Sequence, residues 1–213
     1  MEEVRERVFT VIQNYLKTPP VIIWGSGATV PFGLPSMNTL NQILKDNIPD
    51  FDNNCDNLEI ELGKEKYNDL MPQIRNLIWN AISTVDSQVL QNLLISDGDE
   101  FIGIKKLVEK ISDAHPKVTN IITTNYDRII ENVLSFHNIP FTDGFLGKDL
   151  SLFNENLFSS KNIVNIVKVH GSLNWFEFGG EIRSLQTSIE SSVPQITCLG
   201  KNKYQEAYKS PYR

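Results

Sequence analysis

Asn125, Asp127 and His170 are the side chains of this chain best suited to chemistry, and each closely follows a β-branched run, in "TTNYD" and "VKVHGS". An asparagine amide offers a donor and an acceptor in one rigid group, fit to orient a hydroxyl or a water. An aspartate accepts a hydrogen bond from an amide or stabilises developing positive charge. A histidine titrates near neutrality and can serve as a general base. A third stretch, "VIIWGSGATVPFGLPS", sets Gly25, Ser26 and Gly27 behind an apolar run. Glycines there let backbone N–H groups approach a pyrophosphate, and a following helix would add its positive end. Each feature also has a plainer reading. GxG after a strand often marks only a tight turn, Asn125 could cap a helix, Asp127 could favour a first helical turn, and His170 could be structural. Coincidence favours the chemical reading, because ligands of open parallel sheets bind beyond the carboxyl ends of the strands. Three parallel strands with these exits would gather all six residues around one crevice.

The elements that must position these residues follow from periodicity. Val4, Val8, Val11/Ile12 and Tyr15 predict an amphipathic helix over 2–17, stopped by Thr18-Pro19-Pro20. Val21–Trp24 reads as a buried strand, and 38–47 as a helix. The acidic stretch 49–69 reads as a solvated insertion or a loose helical cap. Helical period returns at Met71–Ile82, and Val85–Ile95 and Ile102–Ile111 read as two further helices separated by "SDGDE". Residues 118–124 form a strand, Arg128–Leu134 a helix, and "NIVNIVKVH" a buried strand ending at His170. "FEFGGEIRS" predicts a hairpin around Gly179-Gly180. Strands alternating with helices predict an α/β fold with a parallel sheet, helices on both faces and a helical, acidic insertion over about 48–112. The last residues, "KYQEAYKSPYR", supply no closing strand. One domain over 1–213, the amino-terminal part of a longer protein, is therefore expected.

Composition narrows the partners. A net charge of −6 among 213 residues argues against a broad nucleic-acid footprint, but leaves room for a small anion held by N–H groups. Cys55 and Cys198 are the two cysteines, far apart, so neither a disulfide framework nor a cysteine zinc site is expected. "MEEVRERVF" lacks the apolar core of a secretory signal, and no run approaches membrane-spanning length. A cytoplasmic protein with reduced thiols is expected. A hydride-transfer dinucleotide site is disfavoured, since Val30 stands where a third glycine belongs and Asp46, at the spacing for a ribose-binding acid, falls in a helical pattern. No GxxxxGK[ST] is present, so the turn is not a P-loop.

At this point the motifs resemble a known family. "GSGATVPFGLPS" resembles the sirtuin phosphate-loop motif, "TTNYD" the sirtuin TQNxD motif, and "VKVHGS" the segment carrying the sirtuin catalytic histidine. The order holds over roughly residues 20–176. "GLPS", "TTNYD" and "HGSLNW" look most like the bacterial sirtuin-like NAD hydrolases of anti-phage defence. The resemblance implies a Rossmann-like fold that lacks its carboxyl-terminal part here, with NAD as substrate and no zinc. It implies that Gly25, Ser26, Gly27, Ala28 and Thr29 hold phosphates and ribose, and that Pro35 and Ser36 lie on a loop covering nicotinamide. Asn125 would orient the nicotinamide ribose and a water, Tyr126 and Asp127 would contact the carboxamide, and His170 would act on ribose hydroxyls or as base. The four-cysteine zinc module of deacetylating sirtuins is missing, and Met37 and Asn38 replace the Phe and Arg that follow the Pro-Asp of that loop.

The leading expectation is cleavage of NAD to nicotinamide and ADP-ribose, depleting NAD during anti-phage defence. An NAD-dependent protein deacylase and a non-catalytic NAD or ADP-ribose sensor are the alternatives. The resemblance also implies silence until a partner or phage-derived signal arrives, and in some cases assembly with a hexameric DNA-translocating ATPase. The first helix and Tyr204, Tyr208 and Tyr212 are candidates for a homo-oligomer interface, against the alternative that they pack within the chain. Neither direct nucleic-acid binding nor membrane association is expected.

Overall fold

The computed structural model describes residues 2–16, 20–52, 57–113, 118–147, 149–160, 162–186 and 192–196. Helix α1 (Glu2–Leu16) forms where periodicity places it, but Val4, Val8, Phe9, Val11, Ile12 and Tyr15 are exposed. Strand β1 (Val21–Trp24) leads through two 3-10 turns, Ser26–Ala28 and Val30–Phe32, to α2 (Met37–Asn47). Ser36 caps α2, its Oγ accepting from the Thr39 N–H at 3.2 Å.

The stretch expected to be solvated is not loose. It carries α3 (Leu58–Leu62), and Phe51, Leu58, Leu62 and Tyr67 are buried. Its acidic character disguises this, because Glu61 is itself buried, accepting the Tyr67 hydroxyl at 2.6 Å and pairing with Lys64 and Lys66.

Helix α4 (Met71–Ile95) is continuous, where the sequence predicts a break near Ser83-Thr84. Both hydroxyls are satisfied within the helix by turning back onto the Asn80 carbonyl, at 3.3 and 2.8 Å, and the helix runs on through them. Pro72 sits in its first turn, where the missing N–H costs nothing. Gly98, at φ 81°, returns its N–H to the Leu93 carbonyl at 3.0 Å and ends the helix. Helix α5 (Ile102–Ser112) follows.

Then come β2 (Thr119–Thr123), α6 (Ile129–Phe136), β3 (Phe141–Thr142), β4 (Ser151–Leu152) and β5 (Val164–Lys168). The chain closes its described part with β6 (Gly171–Phe178), β7 (Glu181–Ser184) and β8 (Val193–Ile196). Strands β1, β2, β5 and β3, in that order, make a parallel sheet, so the fold class is α/β and Rossmann-like. Val108, Ile121, Ile130, Leu134, Val164 and Ile166 pack α5 and α6 onto it. A larger core joins α2, α3 and α4 to Tyr126, Ile129 and Val133.

Two strand expectations are corrected. β1 is an edge strand, paired with β2 alone among the described residues, and only one face of it packs: Ile22 and Trp24 meet the cores while Val21 is 53% and Ile23 82% exposed. β5 ends at Lys168 rather than at His170, which lies in the turn that follows. "GSLNWFEF" belongs to a second sheet, antiparallel, ordered β4, β7, β6, β8. The predicted hairpin at Gly179-Gly180 is its β6–β7 connection. Trp79 Nε1 donates to the Leu173 carbonyl at 3.0 Å, joining that sheet to α4. Tyr204, Tyr208, Tyr212 and both cysteines lie outside the described residues.

Candidate active site

Register brings the three strand exits together. Trp24 pairs with Thr123 across β1 and β2, and Thr123 pairs with Lys168 across β2 and β5. The segments that follow these three residues therefore leave the sheet side by side, at the edge where parallel sheets bind ligands.

Beyond β1 the backbone turns tightly. Gly25 is extended (φ −111°, ψ 175°), Ala28 N–H donates to the Gly25 carbonyl and Thr29 N–H to the Ser26 carbonyl, both at 3.0 Å. The helix that follows, α2, begins at Met37, ten residues beyond Gly27 and close to where the sequence places it. A Cβ added to Gly25 or Gly27 would meet no atom of the protein within 4 Å. Neither glycine is demanded by the chain's own packing.

The segment after β2 is pinned from every side. Asn125 N–H donates to Thr123 Oγ1 at 3.0 Å, and its Nδ2 donates to Thr29 Oγ1 at 3.1 Å. The Tyr126 carbonyl accepts from the Leu173 N–H at 3.0 Å. Arg128 N–H donates to Asp86 Oδ1 at 2.7 Å, and Ile129 N–H to Asp127 Oδ1 at 3.3 Å. Asn125 is thus no helix cap. It reaches across to the glycine turn. Beyond β5, Val169 N–H donates to the Thr123 carbonyl at 3.1 Å, His170 occupies the turn, and Gly171 at φ 88° starts β6 in a conformation that suits glycine.

A cavity of about 390 Å3 lies among these exits. Of the residues singled out from sequence, Ser26, Thr29, Pro35, Asn125, Tyr126, Asp127 and His170 line it. Gly25, Gly27, Ala28 and Ser36 do not, and the Ser36 hydroxyl is spent on its helix cap. Sequence reasoning missed the apolar wall of Leu34, Leu40 and Ile82, together with Met37 and Thr124. Leu40 and Ile82 carry no local signal, because an apolar residue on a helix reads as core. The combination of an apolar wall with a few convergent polar groups is that of a small-molecule site.

The electrostatics single out Asp127. Burial pushes its carboxyl up to about 6, with Lys168 opposing and Glu131 adding to the rise. Burial and Glu131 likewise push Asp143 up, against Lys168 and Trp175. Raised acids in a cleft mark functional candidates. The shift has a stability consequence of definite sign. A carboxyl raised from 3.8 to about 6 binds its proton more tightly folded than unfolded, so stability falls as pH rises through that window. We expect Asp127→Asn to stabilise the fold at pH 7 by on the order of 3 kcal/mol, the free energy of that shift, with the gain vanishing below about pH 4. Urea denaturation of both proteins at several pH values reads it; an equal gain at all pH values would show that the charge is not the cause.

Among the described residues no group of His, Cys, Asp and Glu is arranged to hold a metal, and no helix is long and apolar enough to cross a membrane. A family model described as SIR2-like domain matches residues 119–213. That span takes in Asn125, Tyr126, Asp127 and His170 and begins after the glycine turn. The matched part is sirtuin-like, and such a domain points to a function connected with NAD. No curated protein matches the chain.

Proposed function

From the premise that residues 119–213 are SIR2-like, we propose that the chain is an NAD hydrolase. One observation carries the reading: Asn125, Asp127 and His170 meet Ser26 and Thr29 on a single cavity, although they come from three separate strand exits. In the proposed reaction the bond between C1′ of the ribose and the nicotinamide nitrogen breaks. The bonding pair leaves with the nitrogen and neutralises its charge, so the leaving group needs no acid. Water adds its oxygen to C1′ and gives a proton to His170, and then to solvent. What the protein must supply is position and charge for an electron-poor ribose, a demand suited to fixed polar groups lining a pocket.

In this reading Ser26 and Thr29 meet the phosphates and ribose, Pro35 and the apolar wall enclose nicotinamide, and Tyr126 and Asp127 meet its carboxamide. Asn125 holds the ribose and the water. A role for Gly25, Gly27, Ala28 and Ser36 in holding NAD has less support, since they stand off the cavity. The cellular role (NAD depletion in anti-phage defence, in the cytoplasm, as a homo-oligomer and with an ATPase or phage-derived activator) is supported by the motif resemblance alone.

Incubating the protein with NAD and separating the products tests the proposal. Nicotinamide and ADP-ribose are expected in equal amounts. Release of nicotinamide only with an acetyl-lysine peptide, with O-acetyl-ADP-ribose as partner product, would mean a deacylase. Tight NAD binding without any nicotinamide would mean a sensor.

A further inference from the structure

Lys168 ends the central strand β5, and its side chain is 0% exposed. An ammonium so placed costs several kcal/mol unless it is paired and fully hydrogen-bonded. Its partners are definite: Nζ donates to the Asp127 carbonyl at 2.5 Å and to Glu131 Oε1 at 2.7 Å. The first lies in the segment that carries Asn125 and Asp127. The second lies in the first turn of α6, which that segment feeds. Two residues further along the same strand exit stands His170. One buried cation therefore ties the second strand exit to the third.

We infer that Lys168 is a positioning residue of the site: its ammonium, braced by Glu131, fixes the segment that presents Asn125 and Asp127 to the cavity and supplies the counter-charge of the Asp127 carboxylate. Its functional meaning rests on the reading of the cavity as an NAD site.

The charges around Asp127 favour this over a lysine that merely fills space. Acting on it are Lys168 from β5, Glu131 from α6 and Asp86 from α4; Arg128 is its chain neighbour, His170 lines the same cavity, and Asp143 beyond β3 has Lys168 and Glu131 as neighbours in common with it. Arg128 is engaged by Asp86 at 2.7 Å. Among the described residues Lys168 is thus the cation that answers Asp127, Glu131 and Asp143 together. Lysine also suits the position because its compact head can donate to a carbonyl and a carboxylate at once.

The test is the titration of Asp127 followed by NMR of 13C-labelled aspartate carboxyls, in the wild-type protein, Lys168→Met and Glu131→Gln. Removing the cation should raise the Asp127 midpoint from about 6 by roughly one unit or more, while removing the Glu131 charge should lower it. Lys168→Arg, which keeps the charge, should stay near the wild-type midpoint. Opposite shifts are not produced by loss of packing alone. Unmoved midpoints, or shifts in the same direction, would overturn the inference. Should Lys168→Met not fold, Lys168→Gln, which keeps hydrogen-bond donors and removes the charge, decides: a raised midpoint supports the inference and an unmoved one overturns it. If the wild-type protein releases no nicotinamide from NAD, the reading of the cavity fails, while the midpoints still decide the role of Lys168.

Discussion

Asn125→Ala should lower nicotinamide release from NAD by about a hundredfold to a thousandfold, the usual cost of losing one fixed polar group from a preorganised site. The amide sits where two segments meet, its Nδ2 on Thr29 Oγ1 at 3.1 Å, and the side chain faces the proposed ribose. The fold has little to lose by the change. Thr29 keeps its own bond, Oγ1 donating to the Ser26 carbonyl at 3.2 Å, and the Asn125 N–H keeps Thr123. One net hydrogen bond is worth about 1 kcal/mol, so the variant should remain folded by circular dichroism and lose little in urea. Asn125→Asp preserves the outline and deletes the Nδ2 donor, and it should also fail. Turnover within about tenfold of the parent for either variant would remove Asn125 from the mechanism.

Arg128→Met should cost about 3–5 kcal/mol of stability, the range seen when one partner of a buried ion pair is removed. Asp86 is fully buried on α4, and Arg128 reaches its Oδ2 through Nε at 2.9 Å and through Nη2 at 2.7 Å. Without the guanidinium, a carboxylate with no access to water keeps a single backbone N–H as partner. The double variant Asp86→Asn with Arg128→Met should recover a large part of the loss, because a neutral amide can still accept from that N–H. The denaturation midpoints of the three proteins give the comparison. A loss below about 1 kcal/mol in Arg128→Met would place this pair with weakly contributing surface ion pairs. The same contact anchors the start of α6 to the long helix, so the variant should also loosen the segment bearing Asp127.

Much of this molecule could be read from short-range pattern. Strands β1, β2 and β5 announce themselves as β-branched runs, and α1, α2, α5 and α6 as apolar residues at helical spacing. The unusual residues at the three strand exits were visible for the same reason, since a polar cluster directly behind an apolar run stands out locally. Where the pattern misled, the deciding interaction was distant or ambiguous. Ser83 and Thr84 look like a helix end until their hydroxyls are seen folded back onto Asn80. The stretch holding Phe51, Leu58 and Tyr67 looks solvated because its acidic residues outnumber the apolar ones, yet those apolar residues enter the main core. Of β6 only the "FEF" end beside Gly179-Gly180 reads as strand, and "GSLNW" joins it in a second sheet through partners in β7 and β8.

By itself, then, the order of amino acids determined the local elements, the composition of the three exits and the kind of chemistry they could support. Tertiary structure decided which of those residues share a cavity and which charges are buried together. Asn125 and Thr29 are 96 positions apart when they bond, and Lys168 reads as an ordinary polar end to a strand until Asp127 and Glu131 close around it. The physical reason is that periodicity reports only which way a side chain faces. Strand register and helix packing fix what it meets there, and the cost of burying a charge is set entirely by that meeting.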